Sequence, residues 1–224
     1  MPDTDQLRSE LTTPRAAAVA GILFSVLLLA SLVMIRLTVP AHPQDAGAWL
    51  ADGADRTTRA LHILPFAGIA FLWFIGVLRD RLGQREDRLF ATVFFGSGLL
   101  FLALLFTSAA VAGGVLRLYA ADPSRLVESG LYAFGRTISY EMINVYTMKM
   151  AGVFMMTTSS LSLRTGIIPR WMAWLGLALA LFLLLSLGTL YWAPLVFPLW
   201  VLLISVHILV ANLRQSNRPE LSRA

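Results

Sequence analysis

The sequence predicts an all-α, polytopic transmembrane bundle of six helices, with both ends of the chain cytoplasmic and short interfacial helices in the outer loops. Three observations predict it. The 224 residues are 57% apolar and only 14% charged, and the charge is gathered into short stretches between long runs that carry none. Those runs hold about 20 residues each, which at about 1.5 Å of rise per residue spans a hydrocarbon slab of about 30 Å. The basic residues are also divided unevenly between alternate connections, as happens when Lys and Arg are retained in the cytoplasm.

Charges fence each crossing. Residues 1–15 read as a cytoplasmic tail, and Arg15 and Arg36 bracket the first span, 16–38. Its run AAAVAGILFSVLLLASLVMI exceeds the roughly 7–15 apolar residues of a secretory signal and no A-x-A-like cleavage site follows, so it reads as a retained helix. Arg59 and Arg79 enclose the second span, 61–79, and Arg88 and Arg117 the third, 90–116. Glu141 and Arg164 enclose the fourth, 141–163, which Lys149 interrupts. From Trp171 to Leu213 there is no charge, a stretch of roughly 65 Å as one helix, so the chain must fold back. The turn is GTLYWAP, 188–194, where glycine and proline breakers flank an interfacial Tyr/Trp pair. Spans 170–188 and 193–213 result, followed by a tail at 214–224.

With the N-terminus inside, the inner segments carry eleven basic against seven acidic residues and the outer segments six against six. Trp171 and Trp174 fit an inner aromatic belt, Tyr191 and Trp192 an outer one. The outer segment AGAWLADGADRTTRALH, 46–62, sets Trp49 and Leu50 among polar residues, as an amphipathic stretch lying in the interface does. In DPSRLVESGLYAFGRTISYE, 122–141, Asp122 is placed to cap a helix beginning at Pro123, before Gly130 and Gly135. The inner loop RDRLGQREDR, 79–88, reads as a solvated turn that also touches anionic lipid heads.

Composition excludes several classes. The formal charge of +5 flanks apolar runs instead of gathering on a polar surface, which suits lipid headgroups and not nucleic acid. With no cysteine, thiolate metal sites, cysteine nucleophiles and disulfide chemistry are absent. His62 and His207 fall near opposite membrane faces and cannot share a metal or a haem, and the Met148, Met150, Met155 and Met156 group reads as flexible packing. No metal site and no cofactor is expected.

Lys149 is the feature that calls for an explanation. It lies eight residues beyond Glu141, about 12 Å deep, where insertion costs about 2.5–3.5 kcal/mol. No other span offers an Asp or Glu at its depth. One reading has the ammonium snorkel toward the outer face past Val145 and Tyr146 while the neighbouring hydroxyls bond to backbone; Lys149→Met then raises thermal stability. The other makes Lys149, Tyr146 and Asn144 a ligand site facing the bundle interior, beneath an outer vestibule rimmed by Arg36, His62, Arg117 and Glu141. Ser97 in FFGSGLLF is a weaker candidate: Phe95 stands where the first glycine of the rhomboid proteases' G-x-S-G motif belongs, and no histidine partner is placed for it. Small residues at four-residue spacing, Ala17 with Gly21 and Ala109 with Gly113, would let a neighbouring helix approach, within the chain or in a homo- or hetero-oligomer.

Three stretches, LPFAGIAFLWFIGVLRDRLGQREDRLFATVFFGSGLLF (64–101), TGIIPRWMAWLGL (165–177) and VFPLWVLLISVHILV (196–210), resemble a group of actinobacterial integral membrane proteins of similar length. The Gly-Ile-Ile-Pro-Arg-Trp turn is similar to a broader bacterial membrane family of unknown function. The resemblance implies a bacterial plasma-membrane protein and carries no catalytic residues. The function expected is a non-enzymatic structural, accessory or lipid-interacting one. The alternatives are a small transporter or channel for an anionic or amphiphilic solute at Lys149 and, more remotely, an intramembrane hydrolase.

Overall fold

The structure, a computed structural model, describes residues 4–42, 47–82, 88–166, 168–186, 188 and 190–216. All regular structure among them is helical. In chain order the helices are α1 (Thr4–Thr38), α2 (Leu50–Leu82), α3 (Arg88–Ala121), α4 (Pro123–Glu128), α5 (Leu131–Glu141), α6 (Met148–Thr165), α7 (Arg170–Leu185) and α8 (Val196–Ser216). A π-helical turn, Met142–Thr147, joins α5 to α6, and a short 3₁₀ turn, Ala193–Leu195, leads into α8. Four stretches are long and apolar enough to cross a membrane: Arg15–Thr38, Leu50–Arg79, Phe90–Ala121 and Ala193–Arg214. Residues 83–87 of the charged inner loop and 217–224 of the C-terminal tail lie outside the described residues.

Several boundaries differ from those the sequence suggests, each for a physical reason. α1 is helical from Thr4, through much of the expected tail. α2 starts at Leu50 and absorbs the stretch expected to lie in the interface. Its first turns have tertiary partners: Leu50 is buried with Leu116, Leu126 and Tyr132, and Trp49 Nε1 donates to the Tyr132 hydroxyl at 3.0 Å. Amphipathicity that a bilayer surface would have satisfied is satisfied by α3, α4 and α5 instead. The fourth crossing expected at 141–163 is part of one longer helical path, α5, the π turn and α6.

The capping expected at Asp122 is present, since its Oδ1 accepts from the Arg125 amide at 3.1 Å and from the Ser124 hydroxyl at 2.8 Å. Those bonds, the Arg125 amide first, hold its carboxyl below the usual carboxylate range. Gly130 then takes φ 72°, a left-handed conformation that suits glycine, and the chain turns into α5.

The centre of the bundle is aromatic. Phe71 of α2 lies 4.5 Å from Phe24 of α1, 5.3 Å from Phe101 of α3 and from Phe154 of α6, and 5.6 Å from Phe197 of α8, centroid to centroid. Five helices therefore converge on one ring, and in lipid such dispersion contacts replace the hydrophobic drive that holds soluble cores together. Glycine sets the closest approaches: a Cβ on Gly21 would stand 2.0 Å from Ser205 Oγ of α8, whereas one on Gly113 would find only Leu61 Cδ1 at 3.9 Å. The Ala17/Gly21 pair is thus used inside the chain. The outer faces carry large apolar side chains, among them Leu23 and Val26 on α1, Phe66 and Trp73 on α2, Leu100 on α3 and Leu199 on α8. Such a surface suits lipid and would be unusual on a soluble monomer.

Candidate functional site

Lys149 does not stand alone. Its Nζ donates to the backbone carbonyls of Leu184 at 2.5 Å and Ser186 at 2.6 Å, with a longer contact to Leu183 at 3.4 Å. These carbonyls belong to the last turn of α7 and the residue after it, where helix geometry leaves oxygens unpaired and the macrodipole is negative. α7 has 16 residues, about 24 Å, so it stops short of the thickness of a bilayer core. An ammonium from α6 supplies donors to these carbonyls. The absence of a carboxylate at the lysine's depth is explained: its counter-charge is the end of a helix.

The π turn decides which residues of this helical path face inward. Thr147 Oγ1 donates to the Met142 carbonyl five residues back, at 2.7 Å, and the extra residue shifts the register between α5 and α6. Asn144, Thr147 and Met148 are consequently buried, with Ala151, Phe154, Met155, Thr158 and Ser162 continuing that face. Of the three residues expected to face the bundle interior only Asn144 is buried; Lys149 is partly buried at the seam with α7, and Tyr146 is 58% exposed. Most hydroxyls of α6 bond to carbonyls four residues earlier, as Thr158 does to Phe154 and Ser162 to Thr158, both at 2.7 Å.

A cleft opens at the end of the bundle where α1 and α3 finish and α2 begins. Its volume is about 120 Å³, where a single water needs about 10–15 Å³. The floor is apolar, built from Leu32, Leu64 and Leu105, all essentially buried, with Leu61, Ala109 and Ala112 above them. Polar groups gather toward α5 and the loop before α8: Arg36, Arg136, Tyr140, Asn144 and Tyr191. Arg36 Nη2 donates to Asn144 Oδ1 at 2.5 Å, while Asn144 Nδ2 donates to the Tyr140 carbonyl at 2.8 Å. The Arg36 guanidinium also sits over the Tyr191 ring, Cζ 4.2 Å from its centroid. The Tyr191 hydroxyl is shared between the carbonyls of Arg36 at 2.8 Å and Val39 at 2.5 Å, closing the C-terminal end of α1.

Arg136 Nη2 donates to the carbonyls of Pro40 at 2.7 Å and His42 at 2.9 Å, and its Nε is buried with no acceptor among the described residues. Among the described residues no Asp or Glu lines the cleft, and two guanidinium groups stand over an apolar floor. Ser108 and Ser139 line it too, but each hydroxyl is held by the other's backbone carbonyl, at 2.9 and 3.3 Å. The cleft thus joins basic side chains to an apolar floor.

Of the residues the sequence singled out, the structure brings Arg36 and Asn144 together in this cleft. Lys149 lies at the α6–α7 seam, and His62, Arg117, Glu141 and Tyr146 are exposed and do not line it. Ser97 is buried in α3 and donates to the Phe94 carbonyl at 3.1 Å. Among the described residues no group of three or more His, Cys, Asp and Glu is placed to hold a metal. Arg136, Tyr132, Tyr140 and Tyr191 were missed. The signal for the first three is in the sequence: Tyr132, Arg136, Tyr140 and Asn144 recur every four residues, one face of a helix, and all four line the cleft. No protein-family model, curated protein or solved structure matches this chain.

Proposed function

We propose that this chain is a non-enzymatic, lipid-interacting integral protein of a bacterial plasma membrane, crossing it six times with both ends in the cytoplasm, and that it works by holding an amphiphile in the cleft at its outer end. One observation carries the reading: an apolar floor and two arginines line the same cleft, which is what a molecule with a tail and a polar head requires. The six crossings are supported by two features beyond the four long apolar helices. α5, the π turn and α6 make one helical path from Leu131 to Thr165. α7 is entirely uncharged after Arg170, and its early end is closed by Lys149. Orientation rests on the excess of Arg on one side.

The experiment is native mass spectrometry of the full chain extracted from membranes in mild detergent, compared with Ala112→Leu, which adds bulk to the cleft without touching its charge. A co-purifying amphiphile that Ala112→Leu sheds supports the reading; a wild-type protein that carries none, or one retained equally by the variant, overturns it. Since the chain has no cysteine, single cysteines report topology. Ser129→Cys reacts with an impermeant maleimide in intact cells and Thr165→Cys only after permeabilisation; the reverse pattern refutes the orientation.

A further inference from the structure

The geometry points to a single-tailed anion as the occupant of the cleft, a medium-chain carboxylate or a single-tailed lipid phosphate, with its oxyanion on Arg136 and its tail on the leucine floor. This rests on the proposed amphiphile-holding role and names the chemistry of the ligand. Two independent features specify the head. The rim holds Arg36 and Arg136, and among the described residues no Asp or Glu lines it; in so poorly hydrated a place the attraction between an anion and these charges is stronger than in water.

The two arginines are not equivalent. Arg36 is already committed to Asn144 and to the Tyr191 ring. Arg136 uses one terminal nitrogen on Pro40 and His42 and leaves its Nε–H buried with no acceptor among the described residues. A guanidinium has five donors, and a buried one without a partner is costly. The guanidinium lines the cleft and offers an incoming carboxylate or phosphate the planar donor geometry that arginine favours for both. The Trp49 ring lies 5.8 Å from Arg136 Cζ and is itself held by the Tyr132 hydroxyl, which accepts from the Trp49 indole; both line the cleft beside the guanidinium.

The tail is specified by volume and depth. The cavity of about 120 Å³ has room for about ten waters, and a methylene group is close to a water in size. One chain fits and two do not. Leu32, Leu64 and Leu105 end the cavity at the top of the aromatic core, so the tail stops there and does not pass through the bundle. This is a holding site.

The test is equilibrium binding to the purified full chain with three radiolabelled probes sharing one tail: decanoate, monodecanoyl lysophosphatidate and the uncharged monodecanoylglycerol. The two anions are expected to bind at least about tenfold more tightly than the neutral probe, since a hydrogen bond to a charged group is worth at least that factor. Arg136→Gln abolishes that preference and Arg136→Lys restores part of it; whichever anion binds more tightly identifies the head. Equal binding of all three probes to the wild type overturns the inference without relying on any variant, as does an unchanged preference in a folded Arg136→Gln. If the neutral probe binds as well as the anions and Ala112→Leu expels it, the amphiphile-holding role stands and the anion inference falls. If no probe binds and nothing co-purifies, both fall.

Discussion

Lys149→Met separates two accounts of this lysine. Were the lysine merely tolerated, methionine would remove a burden and raise stability. The structure predicts the opposite. The ammonium donates to two carbonyls at 2.5 and 2.6 Å and approaches a third at 3.4 Å. A hydrogen bond to a charged group contributes about 1.5–3 kcal/mol, and an unsatisfied buried carbonyl costs about 1–3 kcal/mol. Lys149 is only partly buried and its third contact is long, so the two short bonds set the scale and the loss is about 2–4 kcal/mol. The insertion cost of about 2.5–3.5 kcal/mol for a central lysine does not offset it, because separated and packed helices in the membrane both bear that cost. At about 2–4 °C per kcal/mol for a chain of this size, the midpoint falls by about 5–15 °C. The assay is thermal unfolding in mild detergent followed by tryptophan fluorescence, with hydrogen exchange at the Ser186 amide as a local readout. Lys149→Gln, which retains a donor, recovers part of the loss. A Lys149→Met protein as stable as the wild type, or more so, refutes the capping role.

Three further outcomes follow from the same geometry. Tyr191→Phe keeps the ring under Arg36 but leaves the Arg36 and Val39 carbonyls without the hydroxyl; a destabilisation of about 1–3 kcal/mol is expected by thermal unfolding. A Cβ on Gly176 would meet Ser159 Oγ at 2.1 Å and Trp200 Nε1 at 2.7 Å, so Gly176→Ala should cost about 1–3 kcal/mol, while Gly96→Ala, which meets nothing within 4 Å, should be nearly neutral. The carboxyl of Asp122 is held below its unfolded value by the Arg125 amide and the Ser124 hydroxyl. Its contribution to α4 is therefore complete above the unfolded pKa and is lost as pH falls through the lower, folded one; the Arg125 amide chemical shift should titrate with a midpoint below that of an unfolded aspartate, and Asp122→Ala should remove the transition.

The long helices were legible in the sequence because hydropathy and fencing charges belong to each segment and its solvent. Leu23 faces outward and Phe24 inward on α1 whatever the neighbouring helix does in detail. The capping of α4 was equally local, with donor and acceptor three residues apart. The start of α2 was not, because Leu50 is buried by residues of α3, α4 and α5. The candidate site fared likewise: Arg36 and Asn144 stood out by residue type and depth, but Arg136 looked like one more loop arginine until α5 turned it toward the carbonyls of Pro40 and His42.

By itself, the sequence determined an all-helical chain with helices apolar enough for a bilayer, and the oddity of Lys149. Only the tertiary structure decided what that lysine does, which face of α6 is buried and where a ligand could sit. The lysine answers an α7 that ends early, the face follows from one extra residue in a π turn, and the cleft is the gap left where α1, α2, α3 and α5 meet. Each depends on the distance between groups that are far apart along the chain, 34 to 37 residues for the lysine's three bonds and 108 for Arg36 with Asn144. Periodicity and composition describe how a segment meets its surroundings; they hold no information about which donor reaches which unpaired carbonyl.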